Sequence, residues 1–178
     1  MEIEDTFIPG LKLVHLKEFN DARGCFIKVF NEEFFVKKGL ETNFKESYYS
    51  ISAKNVIRGM HFQIQPFEHT KIVYLNQGKI IDVVLDIRNS SPTYGQHFSI
   101  ELKPENPILI YIPIGCAHGF LSLEENTMVT YLQTSCYNTA SDKGIKYNSF
   151  GMKWSSDNPI MSERDLLFPA FTDTNFNF

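Results

Sequence analysis

Turn-forming stretches punctuate this chain at close intervals, and that punctuation limits the fold more than any other feature. They are IPG at 8–10, NDARG at 20–24, NQG at 76–78, NSSPTYG at 89–95, KPENP at 103–107 and IPIG at 112–115. Between them lie short segments rich in Val, Ile, Tyr and Phe: KIVYL (71–75), KIIDVVLDIR (79–88), HFSIEL (97–102), ILIYI (108–112) and TMVTYLQTS (127–135). β-Branched and aromatic side chains suit a pleated surface. The 16 Phe and 8 Tyr fit the same picture. Many short strands separated by turns predict an all-β sandwich or barrel. A length of 178 residues suits one domain over 1–178 with a proper core. Two short helices are expected. One runs over NEEFFVKKG (31–39), with Asn31 as its cap and Gly39 as its stop. The other starts at Ser162, where Asp165 three residues on makes a near capping box.

Alternation assigns faces. In KIIDVVLDIR, Ile80, Asp82, Val84 and Asp86 share one face, and Ile81, Val83, Leu85 and Ile87 the other. The second face is wholly apolar and is expected to be the core face. The carboxylates are expected on a solvated or interface face. In TMVTYLQTS, Tyr131 shares a face with Gln133 and is expected to look into a wet cavity.

Composition excludes several function classes. The net charge is −4 with no basic stripe, so nucleic acid is not an expected partner. No run of 18 apolar residues predicts a membrane span, and MEIEDTFIPG lacks the apolar core of a signal peptide. The three cysteines, Cys25, Cys116 and Cys136, are an odd number without metal-ligand spacing. They read as reduced packing residues in a cytoplasmic protein.

IRGMHFQ (57–63) sets a titratable ring among bulky apolar neighbours. In a strand, Arg58 and His61 lie at an odd separation and fall on opposite faces, unless Gly59 marks a bulge. His118 lies in IPIGCAHGF (112–120), just inside the strand after a Pro113–Gly115 turn. His69 falls in QPFEHTK, a loop beside Lys71. The position two after His61 is Gln63, so the His-x-His pair of a jelly-roll metal site is missing, and no metal is expected. Neither a phosphate-binding glycine loop nor a G-x-S-x-G elbow is present. What remains is a set of proton-transfer groups and cations: Arg23, Arg58, His61, Lys71, His118, Tyr131 and Asp165.

The segments TFIPGLKLV, FNDARGCFIKVF, KNVIRGMHFQ, DVVLDIRNSSPTYGQ, IYIPIGCAHGF, TYLQTSCYN and SERD occur in an order that resembles the dTDP-4-dehydrorhamnose 3,5-epimerase family across roughly residues 6–170. The resemblance implies a cupin-like jelly roll and an isomerase that needs no metal or cofactor. Its substrate would be a nucleotide-diphospho-4-keto-6-deoxysugar, inverted at C3, C5 or both, in deoxysugar supply for surface polysaccharide. A ketone at C4 acidifies both neighbouring carbons. One base and one opposed acid then suffice, with cations for the enolate oxygen. The resemblance implies His61 as base, Asp165 as its hydrogen-bond partner, Tyr131 as acid and Lys71 at the enolate oxygen. His118 would help hold the substrate, and Arg23 and Arg58 would clamp the diphosphate. It also implies a homodimer that exchanges N-terminal strands, with the arginine of the RG segment reaching the partner's site.

Several positions depart from the family pattern. Lys28 stands where glutamate is usual, Glu46 and Tyr48 where Gln and Asn are usual, and Asp142 where Glu is usual. These four are expected to touch substrate. QPFEHTK replaces a glycine-containing loop before Lys71. The changes at 28, 46 and 48 point from a dTDP-sugar toward a GDP- or CDP-linked one, or toward a heptose. A 3,4-ketoisomerase of the same fold, a metal-dependent oxygenase and a non-catalytic sugar-nucleotide-binding module are the alternatives. Gln63 and Tyr131 speak against the first, and the complete His61–Asp165–Tyr131–Lys71 set against the last.

Overall fold

The computed structural model describes residues 1–175 and 178, so the expected domain span 1–178 includes two positions, 176 and 177, outside the described residues. The strands are β1 (Glu2–Asp5), β2 (Lys12–His15), β3 (Glu18–Asp21), β4 (Gly24–Ile27), β5 (Glu46–Ser52), β6 (Ile57–Gln63), β7 (Lys71–Gln77), β8 (Ile80–Asp86), β9 (His97–Leu102), β10 (Ile108–Ile112), β11 (Cys116–Ser122), β12 (Thr127–Gln133) and β13 (Asp142–Gly144). Two short helices join them, α1 (Glu32–Lys37) and α2 (Glu163–Leu166). Each begins as its sequence predicts: the Asn31 side chain accepts from Phe34 N–H, and the Ser162 hydroxyl accepts from Asp165 N–H. Gly39 leaves α1 at φ +67°.

Two antiparallel sheets face each other. One has the order β1-β2-β10-β7-β12-β5 and the other β13-β6-β11-β8-β9. The hairpin β3–β4 stands apart as its own two-stranded sheet. This is the all-β sandwich with a few short helices that the turn spacing predicts, in the jelly-roll form that the resemblance implies.

Apolar side chains fill three layers. Leu13, Val73, Ile80, Val84, Ile110, Phe120 and Val129 meet between the sheets. Met60, Phe62, Val83, Leu85 and Ile87 form the outer face of the five-stranded sheet. Ile145 and Phe150 cover them, helped by Trp154 and Phe171. Val14, Ile72, Leu109 and Tyr111 form the outer face of the other sheet, under Phe35 of α1 and Leu40.

This layering corrects the face expected for β8. Its wholly apolar side lies under the C-terminal segment, whereas Ile80, Asp82, Val84 and Asp86 are also buried. A period of two says which residues share a face but not which face is inside. Both carboxylates are buried with partners. Asp86 takes Arg88 at 2.8 Å, Ser91 at 2.6 Å and Thr93 at 2.7 Å. Asp82 takes His118 at 2.8 Å. A second correction concerns the cysteines: Cys116 is buried, but Cys25 and Cys136 are exposed rather than packed.

Candidate active site

Where β6 meets β11, the pairing slips. His61 is opposite His118, yet Arg58 is opposite Phe120. Three residue steps on β6 therefore match two on β11, which is a bulge. Gly59 makes it possible with φ +138°, and a Cβ there would sit 2.5 Å from the Gly119 backbone. The slip cancels the odd separation of Arg58 and His61, and both line one cavity of about 410 Å³.

The two sheets supply opposite walls of that cavity. His61 and His118 come from β6 and β11 of one sheet, and Lys71 and Tyr131 from β7 and β12 of the other. His61 Nε2 lies 2.8 Å from Asp165 Oδ1, while Asp165 Oδ2 accepts the Gly59 N–H at 3.2 Å. Burial alone would raise the Asp165 carboxyl, but the bonds from His61 and Gly59 outweigh it and hold the acid below its usual range. An ionised carboxylate only accepts, so the ring proton sits on Nε2 and the Nδ1 lone pair is free for chemistry. The His61 side chain is 31% exposed, which leaves it reachable from the cavity.

Tyr131 is 6% exposed. Burial pushes its phenol well above the usual range, which keeps its proton in place until a strong base needs it. Its ring stacks on Tyr48 at 4.8 Å and 18°, and meets His118 edge-on at 6.1 Å. Lys71 is 7% exposed, and its ammonium has neither a hydrogen bond nor an ion pair among the described residues. Burial pulls its ammonium down to about 8, against the opposing fields of Asp142 and Asp82. A buried ammonium without a partner suits a position where negative charge will develop. His118 is 3% exposed, and burial lowers its pKa despite the Asp82 carboxylate.

The cavity also takes in Arg58, Glu46, Tyr48 and Asp142. Arg58 is steadied by Ser52 Oγ at 3.0 Å. Glu46 accepts Tyr137 N–H at 2.6 Å, and Asp142 pairs with Arg164 at 2.5 Å. The Tyr48 hydroxyl accepts from the Gln133 amide, and burial and Glu46 raise its pKa to about 12. Arg23 and Lys28 are not brought to this cavity. Arg23 lies in the β3–β4 turn, 90% exposed and bound to Asp21, and Lys28 follows β4 in the open.

Residues not singled out from sequence also line the cavity, among them Ser50, Gln63, His69, Gln133, Tyr137 and Arg164. Gln133 carried a signal, since it shares the face of Tyr131, and His69 did through its place beside Lys71. Gln63 is turned away from any ligand role: its amide donates to Phe67 O at 2.8 Å and its oxygen accepts Asn138 N–H at 2.7 Å.

Comparison with known proteins places this architecture. The family model described as dTDP-4-dehydrorhamnose 3,5-epimerase matches residues 5–173. The dTDP-4-dehydrorhamnose 3,5-epimerase of Sinorhizobium fredii is 34% identical over 182 residues, covering 100% of this chain and 93% of that protein. The crystal structure of the Sulfolobus tokodaii enzyme of that name superposes with a TM-score of 0.92 at 36% identity over 100% of both chains. The Bacillus anthracis enzyme, solved with TDP and PPi bound, superposes at 0.91 with 32% identity, covering 95% of this chain and 98% of that one. The fold is cupin-like and the enzyme class is isomerase. The chain belongs to the dTDP-4-dehydrorhamnose 3,5-epimerase family.

Proposed function

We propose that this protein epimerises a dTDP-linked 4-keto-6-deoxysugar at C3 and C5 through enolate intermediates, using only its own side chains. The observation that carries the reading is the opposition of His61 and Tyr131 across one cavity, with the unpaired Lys71 ammonium between two sheets. His61 Nδ1 takes the proton from C3 or C5, and the C–H electron pair moves into the C–C bond and onto the C4 oxygen. Lys71 stabilises that oxyanion. The Tyr131 hydroxyl returns a proton to the carbon from the opposite face, and the carbonyl re-forms. Exchange with solvent then removes the proton from His61 and restores that of Tyr131. Asp165 fixes the tautomer, and its charge supports the imidazolium. His118 and Arg58 hold the substrate.

The nucleotide reading shifts toward thymidine. Glu46 and Tyr48 already have partners within the protein, Tyr137 N–H for the one and Gln133 and the Tyr131 ring for the other. The relatives named above bear dTDP-sugar names. GDP-, CDP- and heptose-linked substrates remain arms of the experiment. A 3,4-ketoisomerase would need His118 to shuttle protons, and it is sealed against Asp82.

Arg23, Lys28, Phe19 and Phe26 lie on or just after an exposed hairpin remote from the cavity. This supports a homodimer in which the hairpin carries Arg23 and Lys28 to a second copy's site, each protomer acting as one jelly-roll unit. Mixing inactive His61→Ala with Arg23→Glu protein should restore activity through hybrid dimers. A monomer active on a sizing column would end that reading. No helix among the described residues is long and apolar enough to cross a membrane. Together with free cysteines, this supports a cytoplasmic role in deoxysugar supply for surface polysaccharide.

The test is deuterium uptake from D2O into dTDP-, GDP- and CDP-4-keto-6-deoxysugars and the heptose analogue, counted by mass spectrometry. Two deuterons on the dTDP-sugar, lost in His61→Ala, are expected. A single deuteron would reduce the enzyme to one carbon, and no uptake on any sugar would leave a binding module.

A further inference from the structure

The mechanism above leaves one ring in the cavity unused. His69 lines the wall beside Lys71, in the loop between β6 and β7. Its Nδ1 lies 3.2 Å from Ser135 Oγ and 3.2 Å from Gln63 Nε2. Following the protons through this cluster fixes the tautomer. Asn138 N–H donates to Gln63 Oε1 at 2.7 Å, which turns the amide nitrogen toward the loop. That nitrogen gives one hydrogen to Phe67 O at 2.8 Å; for the other, Cys136 O and His69 Nδ1 both lie at 3.2 Å and Ser135 Oγ at 3.3 Å, and only with Cys136 O accepting it does every hydrogen of the cluster find its own acceptor. The Ser135 hydroxyl donates to Phe67 O at 2.6 Å, a separation that two oxygens hold only with a proton between them. Both polar neighbours of Nδ1 have therefore committed their hydrogens elsewhere. Nδ1 carries the ring proton and donates it to Ser135 Oγ. Nε2 keeps a lone pair and has no hydrogen-bond partner among the described residues.

That lone pair is a neutral acceptor in a cavity where Lys71, Arg58 and the Tyr131 phenol donate. The carboxylates of Glu46 and Asp142 each have one oxygen engaged, by Tyr137 N–H at 2.6 Å and by Arg164 at 2.5 Å. Burial, reinforced by the Lys71 charge, keeps the His69 pKa down at about 3, against the pull of the Phe67 carbonyl. Between about pH 3 and about pH 8 the imidazole is therefore a neutral acceptor while Lys71 is charged.

We propose that His69 is a specificity residue whose Nε2 accepts a hydrogen bond from the sugar hydroxyl beside the carbonyl, the C3 hydroxyl of the 4-keto sugar. The inference rests on the function proposed above, which sets the C4 oxygen at Lys71. Of the two carbons flanking C4, C5 bears the methyl group and the ring oxygen, and C3 alone bears a hydroxyl. An acceptor that bound substrate closes off from water, and that then lacks its donor, is left unsatisfied, and this lets a site reject a substrate lacking that hydroxyl.

The experiment compares C5 deuterium exchange on dTDP-4-keto-6-deoxyglucose and on its 3-deoxy analogue, for wild type, His69→Phe and His69→Gln. His69→Phe should lose roughly tenfold in kcat/KM on the 3-hydroxy sugar and change less than about twofold on the 3-deoxy sugar. His69→Gln, whose amide oxygen can accept, should recover part of the loss. Equal losses on both sugars would make His69 merely structural and overturn the proposal. Wild type inactive on both sugars would overturn the function reading and the proposal with it, whereas an active wild type with no sugar-dependent difference overturns the proposal alone. Nitrogen-15 NMR of the free enzyme checks the tautomer without turnover. A protonated Nδ1 and bare Nε2 are expected, and the reverse pattern would refute the acceptor role.

Discussion

Two histidine–aspartate pairs sit side by side in this protein and differ in almost everything but composition. His61 and His118 are direct cross-strand partners, and each bonds a carboxylate at 2.8 Å. His61 is 31% exposed on the side chain, and its Asp165 is anchored by a backbone N–H. His118 is 4% exposed on the side chain, and its Asp82 is fully buried with Oδ1 unbonded. On the proposed mechanism, one ring accepts a proton from the substrate and passes it to water. Burial lowers the pKa of the other, which helps hold the substrate without moving protons. Access to the cavity, more than the identity of the pair, separates a base from a brace.

The contrast is sharpest under mutation. His61→Ala should lower kcat by on the order of 10³-fold, and because Asp165 keeps the Gly59 N–H its stability loss should be smaller than that of His118→Asn. A loss below tenfold in a kinetic assay would move the base elsewhere. The pH profile should show the next largest change. Lys71 is useful as an ammonium, and its pKa of about 8 means that charge disappears as pH rises through 8. Activity should fall about tenfold per pH unit beyond that point, and Lys71→Arg should push the falling limb to higher pH. An unmoved limb would assign it to another group.

His118→Asn should reverse the pattern of His61→Ala. Stability should drop by about 1–3 kcal/mol in urea titrations, because Asp82 loses its partner inside the core, while activity falls less than it does in His61→Ala. Loss of activity at unchanged stability would erase the distinction between the pairs. Smallest is an expected gain: Lys71→Met should be inactive yet more stable by roughly 1–2 kcal/mol at pH 7. The sign follows from linkage. The lysine's folded pKa of about 8 lies below its ordinary 10.5. Between those values the unfolded chain binds more protons, so wild-type stability should rise with pH there and the advantage of Met should shrink. Calorimetry at pH 7 and pH 10 checks both.

Much of the fold was legible in the sequence because turns and strand formers are local signals. The caps at Asn31 and Ser162 and the faces of β12 are read from neighbours three or fewer residues apart. What escaped was set by layers and loops. The expectation of a solvated or interface face for Asp82 and Asp86 fails because alternation cannot see that both sides of β8 are covered. His61, Lys71, Tyr131 and Asp165 came from motif resemblance, and only the bulge at Gly59 explains how Arg58 joins them. His69 was noticed as Lys71's neighbour but not chosen, since its value lies in protons committed by Gln63 and Ser135.

Asp165 and His61 are joined across 104 residues of chain. Asp165 rides on α2, in the C-terminal segment whose Phe150, Trp154 and Phe171 also cover the outer face of the five-stranded sheet. During synthesis, the histidine emerges 104 residues before its carboxylate. Nascent chains that have already paired β6 with β11 would hold the imidazole without its orienting partner. On the proposed mechanism, the base is oriented only once the segment carrying α2 has docked against β6.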